Sequence, residues 1–120
     1  LYRFRDGKIE MLTSDHSIVA EFVHAGELTW DQAEHHPQSN AITRAVGVGD
    51  VLELDKIRGD VAPGDRFLLC SDGLTKYASF ATLQKMVVNA PIETVGESLM
   101  TLALDAGGAD NISIILVDVV

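Results

Sequence analysis

The residues of this sequence best placed to do chemistry together are Asp72 and Asp110. Asp72 follows the unbroken apolar run Phe67-Leu68-Leu69-Cys70, and Asp110 precedes the longer run Ile112 to Val117. A carboxylate set at the end of a buried strand is costly to desolvate without a partner. Asp72 is therefore either a solvated turn residue or a ligand held on a rigid element, and Gly73 lets the backbone turn or approach something closely. If the two runs pair as antiparallel strands, both carboxylates emerge at one sheet edge; if they run parallel, they lie a strand length apart. Only the antiparallel arrangement makes a site. Two carboxylates with no His or Cys beside them suit a hard cation, Mg²⁺ or Mn²⁺, better than Zn²⁺. Two are too few to complete its shell, so other ligands or water must supply the rest.

The elements that must position them follow from pattern. Leu1 to Phe4 and Lys8 to Leu12 alternate around Arg5-Asp6-Gly7, which predicts a β-hairpin that belongs to a larger sheet. Thr13 to Ser17 is rich in helix-capping residues and precedes a helix over Ile18 to Ala25, with Gly26 at its stop. Thr29 and Gln32 fit a capping box for a second, short helix that His36-Pro37 ends. Ala41 to Val51 reads as a loop, and Val51 to Ile57 alternates well enough for a strand with one wet face. Ala62-Pro63-Gly64-Asp65 predicts a tight turn into the strand Phe67 to Cys70, which reads as buried on both faces because nothing polar alternates in it. Ser79 caps a helix over Phe80 to Val88, and Pro91 opens another whose apolar stripe is Val95, Leu99, Leu102 and Ala103. Gly107-Gly108 stops that helix, and Ile112 to Val120 reads as a long, largely buried strand.

Bulk properties narrow the function classes. A chain of 120 residues is one domain or part of one. Its 18 acidic against 9 basic residues give a net charge of −9, which disfavours nucleic acid and anionic membrane as partners. The single Cys70 allows no internal disulfide; its apolar setting predicts a buried thiol from a reducing compartment, with nothing nearby to make it a nucleophile. No apolar stretch reaches the length of a membrane span. The first residue is Leu, already inside a strand-like pattern, so a piece of a longer chain is expected.

Four stretches in order then carry a resemblance. Pro63-Gly64-Asp65-Arg66-Phe67-Leu68-Leu69-Cys70-Ser71-Asp72-Gly73-Leu74 resembles the signature of metal-dependent type-2C protein serine/threonine phosphatases, the PPM family, in its bacterial form. Gly107 to Ser113 is similar to that family's closing motif, and Asp15-His16-Ser17 and His36 to Gly47 are similar to its intervening stretches. The resemblance implies an α+β fold, the C-terminal part of a four-layer α-β-β-α sandwich of mainly antiparallel strands. Residues 1–120 would form a partial phosphatase domain with a flap at about 14–47. It further implies that Asp72 and Asp110 are metal ligands for Mg²⁺ or Mn²⁺, two or more ions in the complete domain, and that a metal-activated water hydrolyses phosphoserine and phosphothreonine in proteins. Phosphorylated protein substrates of a Ser/Thr kinase and a cytoplasmic location are expected on the same ground.

The family's earlier Asp-Gly metal motif, an upstream acidic residue and a phosphate-binding Arg have no match in this sequence. These 120 residues alone are expected to be inactive and to expose an apolar sheet face; the alternative is a non-catalytic regulatory or interaction module. Within the flap, His16, His36, Asn40 and Arg44 are the candidate substrate-access residues. For His16, capping or surface packing is the blander reading; for Arg44, an ion pair within the flap competes with phosphate binding. His35 and His36 are adjacent on a helix and do not share a face, which disfavours a metal pair. Trp30 is expected to anchor the short helix.

Overall fold

In the computed structural model, which describes Leu1–Val120, the chain forms two compact units. The first joins Leu1–Thr13 to Gly59–Val120; the second is Ser14–Arg58.

The first unit begins with β1 (Tyr2–Arg5) and β2 (Lys8–Met11), paired antiparallel with Arg5 opposite Lys8. The connection is two residues long, and both Asp6 (φ 53°) and Gly7 (φ 74°) are left-handed, the backbone that suits the twist of a tight hairpin. The turn at Ala62 to Asp65 closes through the Asp65 amide donating to the Ala62 carbonyl at 3.0 Å, with Gly64 at φ 92°. It leads into β3 (Arg66–Cys70), which pairs with β1 on one side and with β4 (Ile114–Asp118) on the other, both antiparallel. The sheet order is therefore β2-β1-β3-β4.

Between β3 and β4 run three helices: α3 (Asp72–Thr75), α4 (Phe80–Val87) and α5 (Ile92–Asp105). Ser79 caps α4 by accepting from the Thr82 amide, and Pro91 stands at the N-cap of α5. Their apolar faces close over one side of the sheet. Leu83, Val87, Val95, Leu99 and Ala103 join Tyr2, Phe4, Leu68 and Leu74 in a single core. Burying side chains of this size stabilises by roughly 1.5–3 kcal/mol each, so this layer is the source of the unit's cohesion.

The other side of the sheet is open. Leu69 is 42% exposed, Ile115 59% and Val117 45%. The expectations that β3 is buried on both faces and that the last strand is largely buried are thus corrected: helices cover one face only, and alternate residues point away from them. The last strand is also shorter than its apolar run.

The second unit holds α1 (Ile18–His24) and α2 (Trp30–Glu34). Ser17 caps α1 through the Ala20 amide, and Gly26 at φ 80° follows its end. The Thr29–Gln32 capping box is complete, with the Thr29 side chain accepting from the Gln32 amide and the Gln32 side chain from the Thr29 amide. Trp30 meets His24 edge-on at 5.7 Å, tying the two helices. The predicted strand over Val51 to Ile57 does not form; the stretch has no regular structure and is exposed throughout. A strand exists only where a neighbour accepts its backbone hydrogen bonds, and no strand of this chain lies beside it.

Candidate metal centre

The antiparallel pairing of β3 and β4 decides the geometry that sequence left open. Cys70 faces Ile114, and the ladder continues one step, the Ser71 amide donating to the Ser113 carbonyl at 3.0 Å. Asp72 leaves the end of β3 where the chain running from Asp110 comes in to begin β4. Both carboxylates thus lie at one edge of the sheet.

Asp72 is the first residue of α3 and is half-buried. Gly73, fully buried beside it, lies against the other motif: a Cβ built there would stand 2.2 Å from the Asn111 carbonyl oxygen and 3.0 Å from its carbon. Only a residue without a side chain permits that approach. The Ser71 hydroxyl donates to the Asn111 carbonyl at 3.2 Å and accepts from the Ser113 amide at 3.0 Å.

Asp110 is exposed, and its Oδ1 accepts from the amide of the next residue, Asn111, at 2.7 Å, a contact that orients the carboxylate. The loop before it is held by Tyr77, whose hydroxyl accepts from the Ala109 amide at 3.2 Å. Gly107 adopts φ 150°, and a Cβ there would come within 3.0 Å of the same hydroxyl.

The donor set fits a hard cation in kind, two carboxylates at one edge, but not in number. No group of three or more His, Cys, Asp or Glu side chains converges anywhere in the chain. An open cleft of about 430 Å³ lies at the opposite end of the sheet, around Gly64, Arg66 and Asp118, away from both aspartates.

Of the candidate flap residues, His16 and Arg44 meet on one carboxylate. His16 Nε2 lies 2.6 Å from Asp55 Oδ2, and Arg44 Nη1 donates to Asp55 Oδ1 at 2.9 Å. Glu53 stands 3.9 Å from the Arg44 Nε. The His16 hydrogen bond first, then that of Arg44, holds the Asp55 carboxyl below the usual range. His16 also accepts from the Thr43 amide through its carbonyl, beside the isolated Ser17–Ile42 bridge. His36 is engaged locally, its Nδ1 accepting from the Gln38 amide at 3.1 Å and its ring 5.6 Å from that of Phe22. Asn40 is exposed, just before Ala41, whose carbonyl accepts from the Ile18 amide.

Sequence reasoning missed Asp55, because 39 residues separate it from His16 and no periodicity links them. It likewise missed Asp65. That side chain is 2% exposed and accepts from the Arg5 Nε at 2.7 Å and the Ala62 amide at 2.9 Å. The hydrogen bond from Arg5 leads in pulling its carboxyl down to about 2, against the opposing effect of burial.

Comparison with known proteins meets this geometry from outside. The chain is 41% identical over 114 residues, 94% of its length, to 46% of the protein phosphatase PhpP of Streptococcus pneumoniae. Its fold superposes with a TM-score of 0.87 on the PPM Ser-Thr phosphatase MsPP of Mycobacterium smegmatis, at 39% identity over 99% of this chain and 51% of that one. The chain is homologous to the C-terminal part of the PPM-type serine/threonine phosphatases. It spans about half the length of these relatives. The catalytic domain of the phosphatase PstP, solved in complex with two manganese ions, superposes with a TM-score of 0.82 at 33% identity, over 99% of this chain and 49% of that one. No family model matches the chain. The four-stranded antiparallel sheet with its flanking helices is the C-terminal portion of the PPM fold, an α+β architecture. No helix is long and apolar enough to cross a membrane.

Proposed function

We propose that the protein to which this chain contributes is a cytoplasmic, metal-dependent phosphatase of phosphoserine and phosphothreonine in proteins. Asp72 and Asp110 supply two of its metal ligands. The observation that supports this reading is the antiparallel register of β3 and β4, which brings the segments bearing the two aspartates to the same end of the sheet, in a chain homologous to PPM phosphatases.

The chain's own part is to hold and aim oxygen donors. The rigid β3 end and the first turn of α3 carry Asp72; the Asn111 amide and the Tyr77-held loop orient Asp110. A bound Mg²⁺ or Mn²⁺ pair would neutralise phosphoryl oxygens and lower the pKa of water for in-line attack. Two ligands do not build that centre, so the chain by itself is inactive and the remaining ligands come from outside it. Residues 14–47 serve as the flap governing substrate access, with the His16–Asp55–Arg44 cluster fixing its form. The substrates are phosphoproteins made by a Ser/Thr kinase.

In the complete protein, Asp72→Asn or Asp110→Asn should collapse Mn²⁺-dependent hydrolysis of a phosphothreonine peptide. Unchanged turnover in both variants would sink the assignment. A complete, folded protein without metal-dependent turnover would favour a non-catalytic interaction module instead.

A further inference from the structure

We infer that Ser71 is a positioning residue that sets the spacing between Asp72 and Asp110, by using its side chain as a rung of the sheet. The inference rests on the reading of those two aspartates as cation ligands.

Ser71 has the backbone of a helix N-cap, φ −80° and ψ 167°, ahead of α3. Serine is among the residues most favoured there because its hydroxyl accepts from the helix's first free amides. Here the hydroxyl makes no such bond. It reaches across to the other motif instead, donating to the Asn111 carbonyl and accepting from the Ser113 amide.

The reason lies in the ladder. A hydrogen-bonded antiparallel pair exchanges two bonds, each residue's amide donating to the other's carbonyl. At the Ser71–Ser113 step the first bond is normal, the Ser71 amide donating to Ser113 at 3.0 Å. The second cannot be, since the Ser71 carbonyl has turned away into α3 and accepts from the Leu74 amide at 3.2 Å. The hydroxyl takes the place of the absent carbonyl and satisfies Ser113. Strand β3 thus becomes a helix without releasing its neighbour.

The residues it ties are the immediate neighbours of the carboxylates: Ser71 precedes Asp72, and Asn111 follows Asp110. Gly73 lies close against the same Asn111 carbonyl. Octahedral Mg²⁺ accepts oxygen only near 2.0–2.1 Å, so slack between two ligand-bearing segments translates directly into lost affinity.

The test uses the complete protein stripped of metal, with Mn²⁺ affinity read by calorimetry and amide exchange read by mass spectrometry or NMR. Ser71→Ala should weaken Mn²⁺ binding roughly 10- to 100-fold, the range found for groups that orient ligands, and speed exchange of the Ser113 amide. Ser71→Thr, which keeps the hydroxyl, should lose less than the roughly 10-fold that marks the loss of an orienting group. Parent-like affinity in Ser71→Ala, or an equal loss in Ser71→Thr, overturns the role. Asp72→Asn separates the ligand role from the positioning role: if it leaves Mn²⁺ affinity intact, Asp72 is not a ligand; if it abolishes binding while Ser71→Ala does not weaken it, only the positioning role fails.

Discussion

Gly73→Ala is the sharpest probe of the joint between the two aspartate motifs. The added methyl carbon would stand 2.2 Å from the Asn111 carbonyl oxygen, 3.0 Å from its carbon and 3.3 Å from Ile112 Cγ1. Non-bonded heavy atoms rest near 3.5 Å, so relief requires the start of β4 and the head of α3 to part by about 1 Å. The atoms in the way are backbone, and the Ser71 hydroxyl and the β3–β4 ladder pin them. Gly73 does not occupy the left-handed region, so alanine's own conformational preference adds no further penalty. Overpacking of this kind costs about 1–3 kcal/mol, and a rigid partner puts it at the upper end, about 3 kcal/mol. In a domain twice this length each kcal/mol shifts the melting temperature by roughly 2–4 °C, giving a fall of about 6–12 °C. Thermal unfolding followed by circular dichroism in excess chelator reads the packing term alone, free of any metal contribution. A melting temperature within about 1 °C of the parent's would refute the close approach, and with it the interlock of the two motifs.

Other expectations follow from the same unit. Gly96→Ala is the mirror case: it lies inside α5, where a Cβ would meet only Leu116 Cδ1 at an ordinary 3.7 Å, so thermal denaturation should show stabilisation by about 0.5–1 kcal/mol. Asp65 predicts an acid dependence. Its folded pKa of about 2 lies below the unfolded value, so its contribution is fully present above about pH 4 and fades as pH falls through 2. The gap in urea midpoint between the parent and Asp65→Asn should therefore be widest at neutral pH and narrow below pH 4; a gap independent of pH would contradict the pairing with Arg5.

Much of the fold was legible in local pattern. The Asp6-Gly7 hairpin, the Pro63-Gly64 turn, the Ser17, Thr29 and Ser79 caps and the Val95-Leu99-Ala103 stripe all form as their residue types dictate. Each depends on neighbours within a few positions, where backbone preference and side-chain capping act. Val51 to Ile57 shows the boundary of such reasoning: its alternation is strand-like, yet strand formation needs a partner that no local pattern supplies.

By itself the sequence determined which residues could do chemistry, Asp72 and Asp110, and that two carboxylates suit a hard cation. Only tertiary structure decided that they share an edge, because strand direction is a property of pairing and not of either strand. It also decided which faces are buried: Phe67 to Cys70 and Ile114 to Val117 are unbroken apolar runs, yet the helices cover one side and leave Leu69, Ile115 and Val117 exposed. Long-range partners were beyond reach for the same reason. Asp55 with His16, Asp65 with Arg5 and the Ser71 hydroxyl with Asn111 are contacts across 39, 60 and 40 positions. What brings such pairs together is the closure of the chain around its core, which leaves no periodicity in the sequence to read.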